Sequence, residues 1–211
     1  MRALVAVPAA SEHIALRVVP DPEVRADETL VRVRAISLNR GEVNRLAAAE
    51  EGTVLGWDVA GTVEHPAERG GDLEVGTRVV AILPGGGWAE MVGVPASRLV
   101  EIPDGLSFEA ASTLPVAGLT ALRTLQLGGL LLGKRVLITG AAGGVGRFAV
   151  QLASQSGAQV TAIARDAARA EGLHGLGADE VIDDIENAAG DFHLILESVG
   201  GDSLATATRL V

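Results

Sequence analysis

The sequence predicts a two-domain α/β protein, and three observations support this. Up to about residue 107, short β-rich segments are separated by turns that contain glycine and proline. Beyond that point, apolar strands alternate with helical segments, which is typical of a parallel sheet with helices on both faces. A glycine-rich turn, "GAAGGVG", joins one of these strands to a helix. We therefore expect a β-rich, partly closed barrel in residues 1–114 and a doubly wound parallel sheet in residues 115–211.

Composition narrows the classes of function. Of the 211 residues, 48% are hydrophobic and 21% are charged, as in ordinary globular proteins. The net charge of −10 argues against nucleic acid or an anionic membrane as the main partner. The chain has no cysteine, which excludes disulfides and thiolate metal sites. No apolar run has transmembrane length and the N-terminus has no signal-peptide layout, so we expect a soluble cytoplasmic protein.

The first half shows the two-residue period of strands. In "TLVRVRAI", Val31, Val33 and Ala35 alternate with Arg32 and Arg34, which predicts a strand with one buried face. Further strands are expected in residues 2–7, 13–19, 58–64, 77–83 and 88–94. The segment 39–51, "NRGEVNRLAAAEE", is the helix expected in this half.

The second half begins with helix-start signals. Ser107 is a good N-cap with Glu109 in the first turn, and Pro115 starts a longer helical pattern through residue 125. The expected elements that follow are strand 135–139, helix 144–155, strand 159–164, helix 167–176, strand 180–182 and strand 192–197. A sheet that stops at the last of these strands exposes an edge, which favours aggregation or pairing with a partner, including a homodimer.

The glycine-rich turn predicts a dinucleotide site. Compared with G-x-G-x-x-G, the three glycine positions hold Ala141, Gly143 and Gly146, with Gly144 as an additional glycine. A helix that begins here presents free N–H groups and the positive end of its dipole to a pyrophosphate. The candidate phosphate-binding residues are Ala141, Ala142, Gly143, Gly144, Val145 and Gly146. A tight strand-to-helix turn with nothing bound is the alternative interpretation.

The end of the next strand bears on which cofactor is used. An acidic residue there favours NADH, whereas an arginine pairs with the 2′-phosphate of NADPH. The strand ends at Ala164 and Arg165, and Arg169 supplies a second cation. These residues favour NADPH. Asp166 keeps NADH possible, although its position also fits the N-cap of the following helix.

Several ordered motifs resemble the medium-chain dehydrogenase/reductase superfamily, in particular its zinc-free quinone oxidoreductase branch. They are "AISLN", "GWDVAGTV", "VGTRVV", "GGWAEMV", "IPDGLSFEAASTLPVAGLTAL", "AAGGVG", "LGADEVID" and "LESVGG". The resemblance implies a GroES-like catalytic domain followed by a Rossmann domain. It also implies that the Rossmann domain is incomplete at its C-terminal end, because family members continue beyond "SLATATRLV".

The resemblance also implies that no zinc is used. Zinc-dependent members carry Cys or His ligands where this chain has "SLNRGE", and a His-Glu pair where it has Trp57 and Asp58. They also carry a four-cysteine lobe that is missing from this chain. The four histidines are scattered without ligand spacing.

An NAD(P)H-dependent reductase of small quinones, enones or other activated alkenes is the function that the resemblance implies. It places Asn39 and Thr120 in the catalytic site and Val199 beside the cofactor; Asn39 also fits a helix N-cap, and Thr120 an ordinary helical position. Arg40 and Trp57 are candidates for the pocket lining. The chain has no tyrosine to donate a proton. An enoyl reductase of a polyketide or fatty-acid pathway and a non-catalytic nucleotide-binding or structural fragment are the alternatives.

Overall fold

A computed structural model describes the backbone of residues 1–211 and every side chain except that of Ala167. The chain divides into two compact units, Met1–Val116 and Ala117–Val211. The predicted boundary lies two residues before this division.

The first unit is built from antiparallel strands. Its seven strands are β1 (Arg2–Ala6), β2 (Ile14–Val18), β3 (Glu28–Ile36), β4 (Asp58–His65), β5 (Arg78–Ile82), β6 (Met91–Pro95) and β7 (Val100–Glu101). β1 and β2 pair with each other, and the remaining five form a sheet of order β6-β3-β4-β5-β7. The short strand β7 was not predicted.

The alternation read in β3 is present in the structure. Val31 is fully buried, whereas Arg32 and Arg34 are exposed. The buried face of this sheet packs into one cluster, Val31, Val59, Val63, Val79, Ala81, Leu83, Val92 and Val94. The predicted β-rich half therefore has its core on the side that the two-residue period indicates.

Two short helices complete this unit. α1 (Arg40–Leu46) is shorter than the predicted helix over 39–51, because the chain turns after Ala47. α2 (Phe108–Ser112) begins at Ser107, whose hydroxyl accepts a hydrogen bond of 3.1 Å from the backbone N–H of Ala110. The N-cap predicted at Ser107 is thus confirmed.

The second unit is a parallel α/β sheet. Its strands are β8 (Arg135–Ile138), β9 (Gln159–Ile163), β10 (Glu180–Ile182) and β11 (Leu194–Leu196). They lie in the order β10-β9-β8-β11, and all three pairings are parallel. This is the order of the first four strands of a Rossmann sheet, so the predicted fold class is confirmed.

Four helices belong to this unit: α3 (Leu119–Leu127), α4 (Gly144–Gln155), α5 (Ala167–Ala170) and α6 (Asp202–Ala207). α4 has its predicted bounds, and α6 was not predicted. The helical segment predicted from Pro115 begins as a π-helical turn at Leu114–Gly118 and continues as α3. The helix predicted over 167–176 was wrong beyond Ala170, because Gly172 has a φ of +81° and breaks it before a 3₁₀ turn at His174–Leu176.

Buried side chains cover both faces of the parallel sheet. Val136 and Ile138 of β8 pack with residues of α4, including Ala149 and Val150, in one cluster. Leu137, between them in the strand, belongs to a second cluster with Phe192. A strand buried on both faces is apolar at successive positions, as β8 is. None of the helices in residues 1–211 is long and apolar enough to cross a membrane.

Candidate functional site

The strand order of the second unit reverses between β8 and β11. The connection from β8 proceeds toward β9 on one side, while β11 is added on the other, so the order reverses at this point. In open α/β sheets, ligands bind outside the carboxyl ends of the strands where the order reverses. The residues that follow β8 and β11, beginning with Thr139 and Glu197, therefore line the candidate cofactor site.

The turn after β8 leaves backbone donors free. The N–H of Ala141 donates to the carbonyl of Ile163 at 3.1 Å, and the N–H of Gly143 donates to that of Gly140 at 2.9 Å. By contrast, the N–H groups of Gly144, Val145 and Gly146 have no acceptor within residues 1–211. Three free donors in the first turn of α4 form an anion-binding arrangement.

Each glycine of the turn has a different steric role. A Cβ on Gly146 would lie 2.6 Å from the Cα of Ala141, so this glycine permits α4 to pack against the turn. A Cβ on Gly143 would lie 3.2 Å from the carbonyl oxygen of Gly140. Gly144 is exposed, and a Cβ there would make only an ordinary contact of 3.6 Å with Ala117. A bare backbone at Gly144 is therefore not required by the fold itself.

The end of β9 is followed by an exposed arginine, Arg165, and by an aspartate, Asp166, that caps the next helix. Ala164 is buried, its N–H donates to the carbonyl of Ile182, and Arg165 next to it is exposed. Asp166 accepts a hydrogen bond of 2.9 Å from the N–H of Ala168 and is the N-cap of α5. Arg169, in α5, is exposed. The N-cap interpretation of Asp166 is thus confirmed, and this side chain is engaged by its own helix.

Sequence reasoning missed Arg147, which lies in the first turns of α4. Its Nε donates to the carbonyl of Ala142 at 3.3 Å, and its Nη2 reaches the carbonyls of Arg169 and Glu171, both at 3.4 Å. One side chain therefore joins the glycine-rich turn to the segment after β9. Its place directly after Gly146 was the available signal.

Glu197 was also missed, and it organises the turn after β11. Its carboxylate accepts hydrogen bonds from the N–H groups of Val199 and Gly200, at 3.0 and 2.9 Å, and from the hydroxyls of Thr139 and Ser203, at 3.1 and 2.9 Å. Partial burial raises the pKa of Glu197, but the four hydrogen bonds together hold it below the usual glutamate value. Val199, predicted beside the cofactor, is exposed in this turn.

In the first unit, Asn39 belongs to a buried polar cluster. Its side-chain Nδ2 donates to Asp58 Oδ2 at 2.9 Å and lies 3.4 Å from the Ser37 hydroxyl. Asp58 is fully buried and also accepts hydrogen bonds from the Ser37 hydroxyl and from the N–H of Val116, the latter at 3.0 Å. Asn39 is therefore one of three groups that donate hydrogen bonds to the Asp58 carboxylate.

The backbone of Asn39 also begins α1. The fully buried Glu42 accepts a hydrogen bond of 2.6 Å from the N–H of Asn39, and its other oxygen accepts one from the N–H of Trp57. Asn39 has the extended backbone of an N-cap, but its side-chain nitrogen points to Asp58. The structural interpretation of Asn39 as the start of a helix is thus confirmed, while its catalytic role stays a prediction.

The other predicted substrate-site residues have simpler surroundings. Thr120 is exposed on α3 in the second unit, and its carbonyl accepts a hydrogen bond from the Thr124 hydroxyl. The Trp57 ring lies under the guanidinium of Arg45, 5.1 Å from the ring centre. Arg40 is exposed at the start of α1. Asn39 and Thr120 lie in different units, and their catalytic roles stay predictions.

Family models match both halves of the chain. Residues 25–104 match the alcohol dehydrogenase GroES-like domain, and residues 144–211 match the zinc-binding dehydrogenase model. Together the two segments include more than half of the chain. The chain belongs to the medium-chain dehydrogenase/reductase superfamily. The resemblance to this superfamily that was read from the sequence motifs is thus confirmed.

The relatives that match this chain differ in length. The chain is 36% identical over 190 residues to a chloroplastic quinone-oxidoreductase homolog of Spinacia oleracea, covering 82% of this chain and 56% of that protein. It is 32% identical over 205 residues to one of the phenolphthiocerol/phthiocerol polyketide synthase proteins of Mycobacterium tuberculosis, covering 89% of this chain and 9% of that protein. The chain thus spans about half the length of the quinone-oxidoreductase relative.

Solved structures of the superfamily agree with the fold. The quinone oxidoreductase from Coxiella burnetii aligns with a TM-score of 0.91 at 28% identity, over 100% of this chain and 72% of that one. A mycobacterial protein complexed with NADPH aligns with a TM-score of 0.91 at 25% identity, over 100% of this chain and 71% of that one. Both alignments include the two units described above.

The donor set of this chain does not fit a zinc ion. Cysteine is missing from the sequence, and the side chains that the structure describes contain no group of three or more His, Asp or Glu residues placed to hold a metal. Asp58, which the sequence resemblance places where zinc-dependent members carry a His-Glu pair, accepts hydrogen bonds from three donors. Zinc prefers thiolate and imidazole ligands in a tetrahedral arrangement, which these residues do not offer.

Proposed function

We propose that the chain is the nucleotide-binding and catalytic part of a zinc-independent, NADPH-dependent reductase of quinones or enones. The observation that carries this proposal is the cluster of free N–H groups at Gly144, Val145 and Gly146, placed where the strand order reverses. No side chain caps these donors, whereas the Ser107 hydroxyl caps α2. The resemblance to a protein complexed with NADPH supports the same ligand.

The preference for NADPH over NADH rests on the segment after β9. An acidic side chain that is free at this strand end would accept hydrogen bonds from the ribose of NADH. Here one oxygen of the Asp166 carboxylate accepts a hydrogen bond from the N–H of Ala168, while Arg165 is exposed beside it. Both features favour a ligand that carries a 2′-phosphate.

The described side chains offer no site for a Lewis-acid metal, so in this proposal the substrate itself stabilises the charge that develops during reduction. When bound, the reduced nicotinamide supplies a hydride. A substrate that has a carbonyl conjugated to an alkene or to a second carbonyl accepts the hydride and delocalises the developing negative charge onto its own oxygen. The chain has no tyrosine to donate the proton that completes the reduction, so in this proposal the proton comes from solvent or from the substrate. In this proposal Asn39 is a polar contact for the substrate or nicotinamide, with its orientation fixed by Asp58.

A second candidate is reduction of an enoyl thioester. The match to a polyketide synthase protein over 89% of this chain favours it. An enoyl thioester is also an activated alkene of the same electronic type as an enone. The two candidates share the cofactor site and differ only in the substrate. We propose a small-molecule acceptor in either case.

Binding and turnover separate these possibilities. NADPH is titrated against the chain and its fluorescence recorded, and turnover is then measured with a quinone, a simple enone and an enoyl thioester. We expect saturable NADPH binding and faster turnover of the quinone than of the thioester. Preferred turnover of the thioester would support the second candidate. Binding without turnover of any acceptor would support a non-catalytic nucleotide-binding fragment, and failure to bind NADPH would refute the proposal.

A further inference from the structure

Arg147 has an unusual place in the nucleotide-binding unit. Its guanidinium lies between two segments that are distant in sequence: the glycine-rich turn, through the carbonyl of Ala142, and the segment after β9, through the carbonyls of Arg169 and Glu171. In a Rossmann unit these two segments enclose the adenosine end of a dinucleotide. The side chain is half-buried, and its contacts with the three carbonyls direct the guanidinium toward this region.

The charge of Arg147 is not neutralised by the chain. All three of its acceptors are main-chain carbonyls, and none of the ion pairs found among the described side chains involves it. A guanidinium has five N–H donors, and these contacts use only Nε and Nη2. The donors of Nη1 have no acceptor among the described residues. A fixed cation with unused donors suits an anion, in a protein whose net charge is −10.

We infer that Arg147 determines specificity for the adenosine 2′-phosphate, together with Arg165. This inference rests on the proposed function, since it names a further residue of the same cofactor site. Arg165 lies at the end of β9 and is exposed, whereas Arg147 is held in place by the backbone on both sides. A guanidinium that is already positioned loses little conformational freedom when it binds a phosphate. Arg147 therefore contributes to the selectivity for the 2′-phosphate from a held position, and Arg165 contributes to it from an exposed one.

The test compares two ligands that differ only in the 2′-phosphate. Binding of adenosine 2′,5′-bisphosphate and of adenosine 5′-monophosphate is measured by calorimetry for the unmodified chain, Arg147→Gln and Arg147→Lys. Gln keeps an amide donor but removes the charge, so we expect the preference for the bisphosphate to fall by roughly tenfold or more. Lys keeps the charge but lacks the Nε and Nη2 donors that fix the guanidinium, so it should retain only part of the preference. The preference of the unmodified chain should also decrease as salt is raised.

Arg123→Gln is the matched control. Arg123 is exposed on α3 of the same unit, and its removal should leave both affinities unchanged. A ratio of affinities that is unchanged in Arg147→Gln would overturn the inference, and if both affinities fall equally, Arg147 is a structural clamp only. If the unmodified chain binds neither ligand nor NADPH, the proposed function itself fails. Binding of both ligands with equal affinity leaves the dinucleotide site standing and rejects only the role of Arg147.

Discussion

The side chain of Asn39 donates a hydrogen bond of 2.9 Å to Asp58, a carboxylate that is fully buried. The same carboxylate accepts a hydrogen bond from Val116, the last residue of the first unit. A single acidic group thus holds a predicted catalytic side chain and the end of the unit together. The hydrogen bonds from these donors offset the free-energy cost of burying the Asp58 carboxyl group.

The first prediction concerns the stability that Asp58 provides. Asp58→Ala leaves the donors of Ser37, Asn39 and Val116 without their acceptor, so we expect the free energy of unfolding to fall by about 2 kcal/mol or more. Both tryptophans of the chain, Trp57 and Trp88, lie in the first unit, so urea denaturation followed by tryptophan fluorescence reports on this unit. Asp72→Ala, at an exposed position, is the control and should change the midpoint little. Equal midpoints for Asp58→Ala and the unmodified chain would contradict the role assigned to Asp58.

The second prediction is a pH dependence from Glu197. Its pKa is lower in the folded chain than in the unfolded chain, so its hydrogen bonds contribute stability that is complete above the ordinary glutamate pKa. This contribution is lost as the pH falls through the lower, folded pKa. Glu197→Gln should therefore be less stable than the unmodified chain at pH 7, and the difference should shrink as the pH falls below about 4.

Calorimetric melting of both proteins between pH 7 and pH 3 measures this difference. Asp191→Asn, an exposed acidic position before β11, is the control and should show no comparable difference. A stability difference that stays constant over the whole range would show that the ionised carboxylate is not the group responsible. Faster amide exchange of Val199 and Gly200 in Glu197→Gln would locate the effect in the turn after β11.

Local signals predicted much of the fold. α4 has its predicted bounds because the glycine-rich turn and the apolar strand before it are both local features. The error in the helix after Asp166 also had a local signal, since Gly172 stands in the middle of the predicted segment. The short elements β7 and α6 were missed because two and six residues show too little periodicity to be recognised.

The candidate site was predicted less completely, for a physical reason. The residues of the glycine-rich turn are contiguous, so their spacing is visible in the sequence. The roles of Asp58, Arg147 and Glu197 depend on partners 19, 22 and 58 residues away, which only the fold brings together. Asp58 could be noticed only as a missing zinc ligand, and nothing local indicated that it binds Asn39.

The third prediction distinguishes the roles of two glycines in the glycine-rich turn. Gly144→Val should fold normally, because a Cβ there meets only Ala117 at 3.6 Å, but its side chain should block the approach of a pyrophosphate and abolish NADPH binding. Gly146→Val should instead destabilise the second unit by at least about 1–3 kcal/mol, because its Cβ would overlap the backbone of Ala141. Circular dichroism melting and NADPH titration are measured on both. Gly175→Val, in open space, is the control. Normal NADPH affinity in Gly144→Val would show that the glycine-rich turn has only a structural role.

The fourth prediction concerns cofactor preference at the end of β9. Arg165→Ala should weaken NADPH binding by about 1–3 kcal/mol, the scale of a charge-assisted hydrogen bond, and leave NADH binding nearly unchanged. Asp166→Ala should weaken α5 through loss of its N-cap, yet keep the NADPH preference, since this carboxylate is used by Ala168. Fluorescence titrations with both cofactors measure these effects. Equal losses of the two cofactors in Arg165→Ala would reject the assignment of the 2′-phosphate site.

The last prediction concerns metal and substrate together. Because the described side chains offer no thiolate or imidazole cluster, turnover of quinones and enones should be unchanged after exhaustive treatment with EDTA. Primary alcohols should not be oxidised at useful rates, since hydride removal from an alcohol needs stabilisation of an alkoxide-like state that a Lewis acid normally provides. Rates are measured for a quinone, an enone and a primary alcohol, each with and without the chelator. Alcohol oxidation that EDTA abolishes would show that a metal site exists and that the zinc-independent assignment is wrong. Quinone reduction that survives EDTA, with the alcohol inert, agrees with a substrate whose own conjugated carbonyl absorbs the charge.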